Sequence, residues 1–203
     1  MMTWTRRIIG GLTIAAALVA ADATPVDAQD RAVSLFARGG GFNGLTDLAD
    51  GGAADFHKTG FNVGGGVGVE LTRYVALRGD FTFARNELRT DGTDTGDELN
   101  RYFYEAAVQL QYPTARGLKP YVFAGGGAVT VDEVGSGGES DTAGAGTVGL
   151  GLEYAISGSG LGVFIEGRGW LFGTDDLNAV LAPYDRTQLE LAWTGGFSYR
   201  FPI

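Results

Sequence analysis

The chain has 203 residues, 35 of them glycine and none cysteine, and a formal net charge of −9. That length suits one domain or one barrel of modest strand number. The missing cysteines exclude a disulfide framework and a thiolate metal site, and the negative balance argues against nucleic acid, whose phosphates need cations. In chain order, Arg6 and Arg7 precede an apolar stretch over 8–21, and Pro25 leads into Val26-Asp27-Ala28. A basic, then apolar, then small-x-small order is that of a secretory signal. Residues 1–28 are therefore expected to be a cleaved signal peptide, with the mature chain starting at Gln29. The apolar part is too short for a transmembrane helix. No helix-length apolar run follows it, so any later membrane span must be made of strands.

Eight segments then alternate with a period of two, the signature of strands with two unlike faces. Residues 32–40 set Val33, Leu35 and Ala37 against Ser34, Phe36 and Arg38. Residues 60–71 set Phe61, Val63, Val67, Val69 and Leu71 against Asn62, three glycines and Glu70. In 74–85, Val75, Leu77, Phe81 and Phe83 oppose Arg78, Asp80 and Thr82; in 100–112, Tyr102, Tyr104, Val108 and Leu110 oppose Arg101, Phe103, Glu105 and Gln109. The fifth segment, 120–131, is the weakest: Tyr121, Phe123, Val129 and Val131 form its apolar phase, but Val122 and Ala124 soften the other. Residues 146–156 carry Val148, Leu150, Leu152 and Tyr154 against Thr147 and Glu153, and 161–171 carry Val163, Ile165 and Leu171 against Phe164, Glu166, Arg168 and Trp170. The last, 188–201, is strictest: Leu189, Leu191, Trp193, Phe197, Tyr199 and Phe201 face away from Gln188, Glu190, Thr194, Ser198 and Arg200. Each segment is long enough for a tilted strand to cross a bilayer.

The connections alternate too. Those at 72–73, 113–119 and 157–160 are short and carry Arg73, Arg116 and Lys119; those at 42–59, 86–99, 132–145 and 173–187 are long and hold fifteen carboxylates. Short turns on one side and long loops on the other are the layout of an outer-membrane barrel. An even strand number places both termini on the short-turn side.

Alternation alone does not say which face is inside. A soluble carrier barrel of the lipocalin or avidin type would bury the apolar face. Three observations favour lipid outside. Glycine crowds the polar phase, which suits a narrow interior. The polar phase balances Arg38, Arg78, Arg101, Arg168 and Arg200 against Glu70, Asp80, Glu105, Glu153, Glu166 and Glu190, and buried charges need partners. Tyr74, Tyr112, Tyr121, Tyr154, Tyr199 and Phe201 fall beside the short turns while Phe61, Phe81, Phe83, Tyr102 and Tyr104 fall towards the long loops, two aromatic girdles around an aliphatic waist.

The last strand ends in Thr194-Gly195-Gly196-Phe197-Ser198-Tyr199-Arg200-Phe201. That run resembles the terminal assembly signal of small eight-stranded outer-membrane barrels, with Thr194, Gly196, Tyr199 and Phe201 at its specified positions. The resemblance to this family, similar to the OmpA transmembrane domain, OmpX and OmpW, extends over residues 29–203. It departs from the usual terminal aromatic in that Pro202 and Ile203 follow. It implies an all-β fold, an eight-stranded antiparallel up-and-down transmembrane β-barrel in the outer membrane of a Gram-negative bacterium. It further implies contact with outer-membrane lipid, handling by the barrel-assembly machinery through the C-terminal strand, and a monomer.

Other motifs read as bland. Gly144-Ala145-Gly146-Thr147-Val148-Gly149 spells a dinucleotide fingerprint but strand alternation follows where a helix is required. His57, the one histidine, has no serine or acidic constellation around it that would make a lipid-processing site. The acidic run from Asp91 to Glu98 lacks EF-hand spacing and reads as a solvated loop, with divalent cations as candidate ligands of the acidic rim. No catalytic residue, cofactor or metal site is expected. Eight strands leave an interior filled by side chains, so the lumen is expected to be plugged by ion pairs. Replacing Arg168 alone should then cost more than replacing it together with Glu166. The function expected is non-enzymatic: envelope support or surface interaction through four acidic extracellular loops. The alternatives are a narrow porin or small-solute passage, and, from another class, a soluble periplasmic ligand-binding barrel.

Overall fold

The computed structural model describes residues 31–45, 59–90, 93–134, 140–173 and 187–203, and within them the side chains other than those of 88–90, 93–97 and 133–134. The expectations for residues 1–28 and for His57, and the side chains from Asp91 to Asp97, lie outside the described residues.

Eight strands close into one antiparallel barrel in chain order: β1 (Ala32–Gly44), β2 (Gly60–Glu70), β3 (Val75–Thr90), β4 (Thr93–Gln111), β5 (Leu118–Val134), β6 (Ser140–Ala155), β7 (Leu161–Gly173) and β8 (Thr187–Pro202). β1 pairs with β2 on one side and with β8 on the other, from Ala32↔Pro202 to Gly44↔Glu190, so no edge is left open through the barrel wall. Closure satisfies every ladder without water, the condition for a strand to cross a bilayer.

The turns at the end where β1 begins and β8 ends are short. Between β2 and β3, Thr72 Oγ1 accepts hydrogen bonds from the backbone N–H groups of Tyr74 and Val75 (3.1 and 3.0 Å). The β4–β5 and β6–β7 turns use Gly117 and Gly160 at φ of 79° and 70°, a region that only glycine enters without strain.

At the opposite end the strands are unequal. β3 and β4 keep pairing past Asn86↔Leu99, through an irregularity between Glu87 and Arg89, to Thr90↔Thr93. β5 and β6 pair up to Asp132↔Ser140. Against them, β2 pairs with β3 only as far as Phe61↔Arg85 and β7 pairs with β6 only as far as Ala145↔Phe172. Much of the expected loops 86–99 and 132–145 is therefore strand. Beyond the lipid the outward face meets water while Leu99 and Ala143 stay buried inside, so the ladder continues after the apolar outward phase that would reveal it has ended.

The face assignment holds for seven strands. Outward positions are exposed and apolar, such as Ile165 at 66% and Phe197 at 69%, whereas Arg38, Arg78, Asp80, Glu105, Glu166 and Arg168 are buried. β5 is the correction. Tyr121, Phe123, Val129 and Val131 point into the lumen, and Val122 points out. Directly opposed residues in a ladder share a face. Phe123 opposes Gln109 and Tyr121 opposes Gln111, both buried, so register overrides the size of the side chains. Tyr121, expected in the aromatic girdle, is thus a lumen residue.

Candidate functional site

The lumen concentrates buried polar chemistry among the described residues, and its contents form layers. The middle layer is a lattice of charges. Asp80 on β3 and Glu105 on β4 sit directly opposite each other in the ladder, an arrangement of like charges that is unfavourable alone. Arg168 reaches from β7 across the barrel to bridge them, donating to Asp80 Oδ1 at 2.8 Å and Glu105 Oε2 at 2.6 Å. It also donates from Nε and Nη2 to Glu166 Oε1 (3.1 and 2.9 Å). Arg38 adds 2.6 Å contacts to Asp80 Oδ1 and Thr82 Oγ1. Arg78 joins Asp80 Oδ1 and Glu166 Oε2, both at 2.9 Å, and Gln109 Oε1 at 3.0 Å. The guanidinium groups of Arg78 and Arg168 also lie 4.4 and 4.6 Å from the Phe123 ring centroid. Planar guanidinium forks match carboxylates in this way and stack on rings at the same time.

Above this layer, towards the long-loop end, the interior is apolar. Trp170 stacks on Phe103 at 4.3 Å, with Phe42 6.0 Å from Trp170 and Phe172 6.3 Å from Phe103. Leu99, Val129 and Val131 complete this cork. One ion pair crosses it, Arg101 to Glu190 at 2.7 Å. Arg101 also donates to Asn86 Oδ1. Trp170 Nε1 donates to Glu105 Oε1 at 2.9 Å, tying cork to lattice. The lumen is therefore not polar throughout, as the alternation implied.

Below the lattice, Tyr121 donates its hydroxyl to Glu166 Oε2 at 3.0 Å. At the short-turn end, Lys119 lies 2.9 Å from Glu153 and 3.5 Å from Glu70, and Arg200 lies 2.7 Å from Glu70. Ser198 Oγ donates to Glu153. A cavity of about 40 Å³ remains among Arg78, Gln109, Gln111, Glu70 and Phe36, room for a few waters at most. These contacts join six cations (Arg38, Arg78, Arg101, Lys119, Arg168 and Arg200) to six anions (Glu70, Asp80, Glu105, Glu153, Glu166 and Glu190).

The structure thus brings all eleven sequence-selected lumen charges into contact with partners of opposite sign and adds Lys119, which the sequence placed in a short turn. Lys119 shares its phase with Tyr121, and a lysine does not suit a lipid-facing phase; that was the available signal for β5. Tyr74, Tyr112, Tyr154, Tyr199 and Phe201 stand outward beside the short turns. The outer aromatics Phe61, Phe81, Phe83, Tyr102 and Tyr104 form contacts confined to β2, β3 and β4. In the terminal motif, Thr194 Oγ1 donates to the Glu166 carbonyl, Gly196 lies beneath the Phe164 ring, and Tyr199 meets Phe201 edge-on at 4.5 Å. Among the described residues no group of three or more His, Asp or Glu is placed to hold a metal ion. The Gly144–Gly149 run lies within β6 and opens no helix.

Residues 13–201 match the model of the outer membrane protein β-barrel domain. No curated protein matches the chain. Among solved structures, the neisserial surface protein A is similar with a TM-score of 0.62 at 15% identity, over 84% of this chain and 99% of that one. The N-terminal β-barrel domain of OprF from Pseudomonas aeruginosa follows at 0.52 and 17% identity, over 85% and 98%. Ail, the attachment invasion locus protein of Yersinia pestis, gives 0.52 at 15% identity, over 85% and 99%.

Proposed function

Because the chain belongs to the outer membrane protein β-barrel family, and so to the Gram-negative outer membrane, we propose that it is a non-enzymatic envelope component with a closed lumen. The observation that carries this reading is the continuous filling of the interior: apolar cork, charge lattice and inner carboxylate–lysine layer are joined to one another. Eight strands leave little more than side-chain room, and here that room is occupied. A soluble ligand-binding barrel is set aside by the exposed Leu150, Ile165, Trp193 and Phe197, a wall that only lipid covers favourably.

The work of such a protein falls to its surfaces. Among the described residues, strands β3 to β6 rise beyond the other four and carry Glu87, Glu98, Asp132 and Asp141 with Arg85, which pairs with Glu98 at 2.6 Å. An acidic outer platform favours cationic surface partners. Ail has been solved with the heparin analogue sucrose octasulfate; a polyanion of that kind meets the wrong charge on these strands. Thr194, Gly196, Tyr199 and Phe201 serve the assembly machinery before they serve the wall, and the barrel is monomeric in lipid.

Conductance in planar bilayers tests the closed lumen. The purified protein is expected to give no unitary steps in molar KCl. Reproducible steps that scale with salt would establish the narrow-porin reading in its place.

A further inference from the structure

The rim at the short-turn end, where β1 begins and β8 ends, is periplasmic, since such barrels keep their short turns on that side. Its carboxylates are occupied inside: Glu70 holds Arg200 and Lys119, and Glu153 holds Lys119 and Ser198. The β2–β3 and β4–β5 turns at this rim turn cations outward. Arg73 and Arg116 are exposed and have no carboxylate partner among the described residues.

Arg73 is held in place. Its guanidinium lies 4.9 Å from the centroid of the Tyr74 ring, and Tyr74 stacks on Tyr112 of the β4–β5 connection at 6.1 Å and 21°. The backbone is fixed on both sides: Gln111 N donates to the Tyr74 carbonyl at 2.8 Å and Gln111 Nε2 to the Arg73 carbonyl at 3.4 Å. Tyr112 runs directly into the turn that carries Arg116. Both tyrosines are exposed on the lipid side, and above them the paired outward rows Val75↔Leu110 and Leu77↔Val108 make an apolar track up β3 and β4. A preorganised guanidinium, phenol hydroxyls at headgroup depth and an aliphatic track above them match the three parts of a phospholipid.

We propose that Arg73, Tyr74, Tyr112 and Arg116 form a binding site for an anionic glycerophospholipid of the inner leaflet. The phosphodiester accepts hydrogen bonds from the Arg73 fork, Arg116 supplies the second charge, and an acyl chain lies along Val75, Leu77, Val108 and Leu110. A zwitterionic lipid shares the phosphodiester but carries its own ammonium, so the pair of arginines discriminates by net charge. The site rests on the membrane orientation alone and stands whether or not the lumen conducts.

The test uses the folded, delipidated barrel in detergent with equal amounts of dioleoyl phosphatidylglycerol and dioleoyl phosphatidylethanolamine, retained lipid being counted by native mass spectrometry. Wild type is expected to retain phosphatidylglycerol preferentially. Each juxtamembrane arginine is worth about fivefold towards an anionic lipid, so R73Q and R116Q should each lower retention by about that factor and R73Q/R116Q should abolish the preference. R85Q, which removes a cation from the opposite rim, should leave it unchanged. Heat-modifiable gel mobility confirms that each variant is folded. The proposal is overturned by equal retention of the two lipids in wild type, by a preference that survives R73Q/R116Q, or by an equal loss in R85Q.

Discussion

Arg168 is the member of the lattice whose removal the geometry resolves most sharply. Replacing it with methionine keeps the stem and deletes the contacts to Asp80, Glu105 and Glu166. The three carboxylates do not suffer equally. Asp80 keeps Arg38 and Arg78, and Glu166 keeps Arg78 and the Tyr121 hydroxyl. Glu105 keeps only the Trp170 indole. The uncompensated charge therefore settles on Glu105, and breaking a buried pair from one side costs about 3–5 kcal/mol. Adding E105Q removes that charge and leaves an amide oxygen for Trp170. The double variant R168M/E105Q should then sit only about 1–2 kcal/mol below wild type, the scale of lost charge-assisted hydrogen bonds. The pairing read from sequence, Arg168 with Glu166, should rescue less, because R168M/E166Q also strips Arg78 of a partner and leaves Glu105 exposed to the deficit. Urea titration of the barrel refolded into lipid vesicles, read by gel mobility, measures all four stabilities. An R168M/E105Q variant no more stable than R168M, or a better rescue by E166Q than by E105Q, would refute the charge assignment.

Two further outcomes check the wall. Of the tryptophans in the described strands, Trp193 is 61% exposed and Trp170 1%. Brominated lipids should therefore quench the W170F variant, which retains Trp193, and spare W193F; the reverse result would invert the barrel. Glycines on the two faces should respond oppositely to alanine. At Gly149 a new methyl would intrude on the Phe123 ring inside the lumen, whereas at Gly126 the nearest atom is the Ala145 carbonyl oxygen at 3.2 Å and at Gly144 nothing lies within 4 Å. G149A should lose about 1–3 kcal/mol through overpacking, while G144A should hold or gain up to about 1 kcal/mol from reduced freedom of the unfolded chain. Urea midpoints decide, and equal losses at both positions would remove the steric argument.

The fold was legible because lipid and lumen impose opposite demands on alternate residues. Seven strands obey that rule strongly enough for their faces to be read one at a time. β8 is the clearest case, with Leu189 to Phe201 on one phase and Gln188 to Arg200 on the other. β5 was not legible in isolation. Its inward Tyr121 and Phe123 are large because β6 offers Gly149 and Gly151 beneath them, a complementarity that lives in the pairing of two strands and in neither strand's own pattern. The heights of β3 to β6 were hidden for a different reason. Hydropathy marks the part of a strand that touches lipid, and says nothing about where its hydrogen bonds stop.

Charge balance was the sequence feature that came nearest to the site, and it fell one residue short. Five arginines against six carboxylates left one anion without a counterpart in a space where that is costly. With β5 turned to its true phase, Lys119 enters between Glu70 and Glu153 and the contacts join six to six. The same turn moves Tyr121 from the girdle to Glu166. One error of phase on one strand thus accounts for both the missing cation and the misplaced tyrosine. Neutrality of the lumen is a constraint on all eight strands together, and it reports on the strand whose own alternation is weakest.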